Sequence, residues 1–201
     1  MTRREFTQLA CLSGFGLLCA SPVQAAELPA GPDFFSVIRE RHSSRAFTEE
    51  PVSDADIETM LRCAMQAPSA ANERPWEFIV IRDKQVLAQV GDINSWAGFA
   101  KNAPLGILVC LNTQKEKEKG MGIIDMGICS ENLMLAATAL GLGSVFTGIY
   151  PYRDRMEGFS KLCGLPDYVE PVGLIVIGHP RITKHEPVDR FDSSAIHQNK
   201  W

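Results

Sequence analysis

An α+β fold, a central mixed or antiparallel sheet flanked by helices, is the architecture this chain predicts. Three observations carry it. Strand-length apolar runs and helix-length amphipathic runs alternate only partly, so the strict rhythm of a doubly wound parallel sheet is missing. No Gly-x-Gly-x-x-Gly follows a strand. Gly141-Leu142-Gly143 follows a helix instead, which disfavours a Rossmann-type dinucleotide fold. The 201 residues, 45% hydrophobic and 22% charged, suffice for one domain with a full core.

Residues 1–26 stand apart from that domain, which occupies 27–201. Arg3 and Arg4 precede an apolar run from Leu9 to Ala20, and Val23-Gln24-Ala25 places small residues before a cleavage point. The run is too short for a membrane span. Thr2-Arg3-Arg4-Glu5-Phe6-Thr7 resembles a bacterial twin-arginine export signal, which carries folded proteins; the expected location is periplasmic. An ordinary secretory signal would also show the positive start.

The elements follow in order. Asp33 to Glu40 is a helix capped by Asp33, with Phe34, Phe35, Val37 and Ile38 as its apolar side. Ser53 to Gln66 is the next, with Ser53 as N-cap, Asp54 and Asp56 at the positive end of its dipole, and Pro68 beyond its end. Trp76 to Ile81 is apolar on both faces and is read as a central strand. Asp83 to Val90 is a short helix, Asn94 to Asn102 irregular, and Pro104 to Leu111 a buried strand. Gln114 to Lys119 is a charge run, read as a solvated loop without chemistry.

Met121 to Leu140 is the longest helix and is apolar nearly all round, so it needs cover on every side; a second subunit is the predicted cover. Ser144 to Tyr150 is a strand, Arg153 to Leu162 a helix ending near Gly164, and Val172 to Ile177 the last central strand. Pro180 to Trp201 has no periodicity of its own. Cys63, Cys110, Cys129 and Cys163 form no ligand cluster or close pair and read as small buried hydrophobes. Four scattered histidines make a metal site improbable, and a net charge of −4 gives no basic excess for nucleic acid.

Two stretches carry chemistry. Arg41-His42-Ser43-Ser44-Arg45-Ala46-Phe47 leaves the first helix with two guanidinium forks and two hydroxyls crowded together, a donor set suited to a phosphate or an electron-rich ring edge. Alone it reads more readily as a solvated basic helix end, favoured by the helix dipole. Pro68-Ser69-Ala70-Ala71-Asn72-Glu73-Arg74-Pro75-Trp76 follows the second helix. The two together, then Gly141-Leu142-Gly143-Ser144, Gly148-Ile149-Tyr150-Pro151, Gly178-His179-Pro180 and the tail His197-Gln198-Asn199-Lys200-Trp201, resemble the nitroreductase family of FMN-dependent oxidoreductases from residue 33 onward.

That resemblance implies an intertwined homodimer with FMN at the interface, the tail wrapping the partner subunit. It implies Arg41 near the phosphate or ribityl chain, Ser43 beside it, Arg45 at the ring's polar edge, and backbone groups from His42. Pro68, Ser69 and Asn72 would reach the flavin of the other subunit. Ala70 departs from the family's commoner second Ser. Gly148 and Ile149 would pass the reactive edge of the ring. Arg190 would contact the phosphate, while Val188 stands where the family often has a second basic residue; Arg181 or Lys184 are its substitutes. No side chain is assigned a catalytic role, since the chemistry belongs to the cofactor. The implied activity is reduction of nitroaromatics, quinones or related electrophiles, with NAD(P)H as donor and ping-pong kinetics. The alternatives are an exported flavin-binding or electron-relay protein without catalysis, and a divergent flavin reaction such as dehalogenation, flavin destruction or desaturation.

Overall fold

The computed structural model describes residues 32–184 and 186–201; the export-signal reading of residues 1–26 lies outside them. Its elements are α1 (Phe34–Glu40), α2 (Asp54–Met65), β1 (Trp76–Ile81), α3 (Lys84–Ile93), β2 (Leu105–Asn112), α4 (Gly122–Ala139), β3 (Gly143–Gly148), α5 (Arg153–Cys163) and β4 (Val169–Gly178). The strands form one sheet in the order β1-β2-β4-β3, every pair antiparallel.

Period-two alternation divides the two central strands between two apolar layers. Ile107, Val109, Ile175 and Ile177 face α2 and α4, meeting Ile57, Met60, Met126 and Leu133. Leu108, Cys110, Leu174 and Val176 face the opposite way, onto Leu87 and Val90 of α3 and Phe159 of α5. Local signals fix the helix ends. Asp33, Ser53 and Asp83 each accept a first-turn backbone N–H through the side chain. Gly164 closes α5 at φ 64°, the left-handed conformation a side chain would disfavour.

Four expectations need correction. β1 is an edge strand, not a central one. Its apolar composition reflects cover on both faces of the sheet, which says nothing about lateral neighbours. In α1 only Val37 is buried; Phe34 and Phe35 are 61% and 73% exposed, and Ile38 is exposed too. Asn94–Asn102 is not irregular: Asn94 caps a 3-10 run from Ser95 to Asn102, with Ala97 and Ala100 buried. The charge run 114–119 is not wholly solvated. Glu116 is buried, and its Oε1 accepts from the N–H groups of Gly120 and Gly122, capping the start of α4.

Cys110 and Cys129 are buried, while Cys63 and Cys163 are half-buried, and all four are free thiols. Burial pushes the thiols of Cys110 and Cys129 up to about 12, so neither is a thiolate nucleophile at neutral pH. No helix among the described residues is long and apolar enough to cross a membrane.

Candidate functional site

After α1 the chain is laid across the sheet's end. Ser43 bridges Ser144 at the start of β3, the Ser44 N–H donates to the Ser144 carbonyl at 3.0 Å, and Phe47 bridges Pro180 beyond β4. The Thr48 N–H donates to His179 and the Arg181 N–H to Ala46. Along this stretch Ser43 and Arg45 are exposed and Arg41 is half-buried, while Ser44 and Phe47 are buried. Gly143 permits the close approach: a Cβ there would lie 2.8 Å from Ser44.

The two guanidinium groups differ in what holds them. Arg41 Nε lies 3.5 Å from Glu131 on α4. Arg45 has only a long contact, 3.4 Å from Nη1 to the Ser43 carbonyl, and no acidic partner among the described residues. Its charge is therefore available to a ligand. His42 lies with Nδ1 2.9 Å from the Glu40 carbonyl, a local contact that orients the ring.

The Pro68–Asn72 stretch is pinned elsewhere on α4. The Ala70 N–H donates to both oxygens of the buried Asp125 carboxylate, at 3.1 and 3.2 Å. Ser69 Oγ accepts from the Arg74 N–H at 2.9 Å, and Glu73 Oε2 from the Lys117 N–H at 2.7 Å. These anchors hold Ala71, Asn72 and Arg74 at φ of 46°, 57° and 50°. Such conformations cost non-glycine residues about 1–3 kcal/mol each and persist where the surroundings over-determine them. Pro68 and Asn72 themselves are exposed. Asp125 and Glu131 stand six residues apart, about 9 Å along the helix, so α4 carries both stretches at different heights.

At the end of β3, the Gly148 carbonyl accepts from Arg155 Nη1 at 2.9 Å, and the Arg155 guanidinium lies 4.2 Å over the Tyr152 ring. The Ile149 side chain is fully buried, and the N–H groups of Ile149 and Tyr150 both donate to Val172. Gly148–Ile149 is therefore a braced turn, Gly148 partly exposed and Ile149 buried.

The structure brings His42, Ser43 and Arg45 to one cleft, with Arg41 just before them in the chain and paired to Glu131. It joins them to Pro68, Ser69 and Asn72 by no hydrogen bond within the described residues. Arg190 is exposed in the tail and lines none of the clefts beside the Arg41–Arg45 stretch. Its two substitutes line different clefts that both include Arg45: Arg181 lines one, and Lys184 lines the other with His42 and Ser43. Sequence reasoning missed Asp125, whose signal was an acidic residue within an apolar helix. It also missed Arg155, for which no sequence signal existed.

The chain matches the nitroreductase family over residues 38–109 and 94–179. A Methanothermobacter thermautotrophicus protein, provisionally named NADH dehydrogenase/NAD(P)H nitroreductase, is 38% identical over 169 residues, 84% of this chain and 88% of that one. An FMN reductase (NAD(P)H) of Bacillus subtilis is 27% identical over 161 residues, 71% of this chain and 64% of that one. A crystal structure from Parabacteroides distasonis, with the same provisional name as the first, aligns with a TM-score of 0.80 at 35% identity, covering 84% and 98% of the two chains. With its sheet, its bridged arginine segment and these matches, the chain belongs to the nitroreductase family.

Proposed function

We propose that this chain is an FMN-dependent oxidoreductase that takes electrons from NAD(P)H and passes them to nitroaromatics, quinones or related electrophiles, donor and acceptor alternating at one site. The observation that carries it is the bridged Arg41–Ser43–Arg45 stretch, a donor set matched to a flavin mononucleotide, on the chain of a family whose named relatives include an FMN reductase. The residues fit the cofactor. Arg41 supplies a guanidinium for the phosphate and Ser43 a hydroxyl, while Arg45 keeps its charge uncompensated for the ring's polar edge. When bound, FMN supplies the hydride and electron transfer. The chain's own part is to bind and orient. Arg45 would favour negative charge at the ring edge, and the Gly148–Ile149 turn, held by Arg155, would pass the ring's reactive edge.

The test begins with the absorbance spectrum of the purified protein and an anaerobic NAD(P)H titration. Flavin bands and their bleaching are expected. A protein that lacks the bands and fails to take up added FMN sinks the reading. Charge-assisted contacts contribute about 1.5–3 kcal/mol each, so Arg41→Ala is expected to weaken FMN binding about tenfold or more, measured by fluorescence titration.

The same reading makes the active form a homodimer. Phe34, Phe35 and Ile38 of α1 and Met121, Ile124 and Ile128 along α4 are exposed in the single chain. The tail adds exposed Ile182, Val188, Phe191, Ile196 and Trp201. A partner covering these faces would also bring its own Pro68–Asn72 stretch toward the arginines, which the single chain does not do. Deleting residues 187–201 is expected to cost both dimerisation and flavin, read by sedimentation and absorbance. A stable monomer with full flavin occupancy counts against it.

The export reading is a proposal of the same kind. Arg3→Lys with Arg4→Lys keeps the charge but removes both guanidinium groups, and is expected to block export through a twin-arginine route. Unchanged periplasmic yield of the double variant retires that route.

A further inference from the structure

Beyond the arginine segment lies a cleft of about 400 Å³ lined by Arg45, Phe47, Glu49, Lys84, Lys101, Asn102 and Arg181. We propose that it is an anion site taking the phosphate groups of the nicotinamide dinucleotide donor. This rests on the functional reading above and extends it to where the donor is held.

Four cations converge there from four separate parts of the chain: the segment after α1, the first residue of α3, the end of the 3-10 run, and the turn beyond β4. One carboxylate, Glu49, shares the lining. Among the described residues no ion pair engages any of the four, whereas Arg41, Arg62, Arg82, Lys115 and Lys119 all have acidic partners. Two of the four are oriented by neutral groups. Lys84 Nζ donates to the Ala103 carbonyl at 3.1 Å, and Arg181 Nε to the Phe47 carbonyl at 2.7 Å. Carbonyls fix the side chains without cancelling their charge. On a chain of net charge −4, such a concentration of uncompensated positive charge in a concavity is relieved by a multiply charged anion. Phosphate monoester and pyrophosphate groups have that charge and accept several N–H donors at once.

The position separates this anion from the cofactor's own phosphate. Arg41 and Arg45 are four residues apart on extended backbone, roughly 13 Å, so a flavin whose phosphate meets Arg41 leaves the Arg45 cleft at its other end. Arg45 then belongs both to the ring edge and to this cleft. A donor anchored by its phosphates here is tethered beside the ring it must reach, which lowers the entropy cost of meeting it.

The experiment uses FMN-loaded full-length protein, titrated calorimetrically with adenosine 2′,5′-bisphosphate and with inorganic pyrophosphate. It compares the native chain with Lys84→Gln/Lys101→Gln, and steady-state kinetics run alongside with NADPH and NADH. Binding by the native chain is expected. The double variant is expected to bind about tenfold or more weakly and to show a matching rise in KM for the donor, with kcat and flavin content unchanged. A rise for NADPH alone assigns the site to the 2′-phosphate; an equal rise for NADPH and NADH assigns it to the pyrophosphate. The proposal is overturned if the native chain binds neither anion, if the double variant binds both as well as the native chain does, or if it loses FMN, which would make this the cofactor's phosphate site. If neither dinucleotide reduces bound FMN, the donor reading of the enzyme falls, and the site's existence is decided by the calorimetry alone.

Discussion

Arg45→Ala is expected to slow reduction of bound FMN by up to about 100- to 1,000-fold, the loss seen when a preorganised donor to a developing anion is removed. That range is an upper bound, because Arg45 is exposed in the single chain and water can replace part of what it supplies. The effect should appear in the reduction step and much less in flavin content, because Arg41 and Ser43 remain. Stopped-flow absorbance of FMN-loaded variants measures it directly. Single replacements of His42, His179, Cys110 and Cys129 are the controls. The thiols are held protonated by burial, so their loss should change stability and leave reduction per bound flavin intact. A histidine or cysteine variant that keeps its flavin and fold yet is not reduced would move the chemistry onto a side chain and overturn the role given to Arg45.

Phe159→Ala is expected to cost about 3–5 kcal/mol, the range for deleting a fully buried aromatic ring. Phe159 is the one buried residue of α5, and it packs in the layer that holds Leu108, Leu174 and Val176. Native domains are stable by only about 5–15 kcal/mol, so a substantial part of the margin goes. For a domain of this size the melting temperature should fall by roughly 10 °C. The consequence reaches the candidate site. α5 carries Arg155, whose guanidinium holds the Gly148 carbonyl, so a loosened α5 releases the turn at the end of β3. A melting temperature within two or three degrees of the native value, on the same scale, would show that α5 is docked by something else.

The sheet, the five helices and the arginine segment were legible in the sequence because each rests on a local pattern. Asp33 and Ser53 announce their helices, and the alternation in Ile107-Leu108-Val109-Cys110 needs cover on both faces. β1 was misplaced because hydrophobicity records which faces are covered and is silent on which edges are paired. The 3-10 run was missed although Ala97, Ala100 and Ala103 recur at its three-residue period; a window tuned to 3.6 residues passes over it. Glu116 was hidden in a charge run because its burial depends on the exact path by which the loop returns to α4. Asp125 and Ala70 lie 55 positions apart, and no local pattern reports such a pairing.

The hydrogen bonds that lay the Arg41–Phe47 stretch over the sheet reach from Ser44 to Ser144, from Thr48 to His179 and from Ala46 to Arg181. Each joins residues a hundred or more positions apart: the first closes a loop containing β1 and β2, the other two close loops containing the whole sheet. A chain emerging from the ribosome can pair β1 with β2 early, but it cannot fix its arginines until β4 and the turn after it have been made. Fixing of the arginine segment is thereby a late event of folding, one that needs the chain as far as Arg181. A ligand that binds the folded segment adds its stabilisation to molecules in which those bonds have formed.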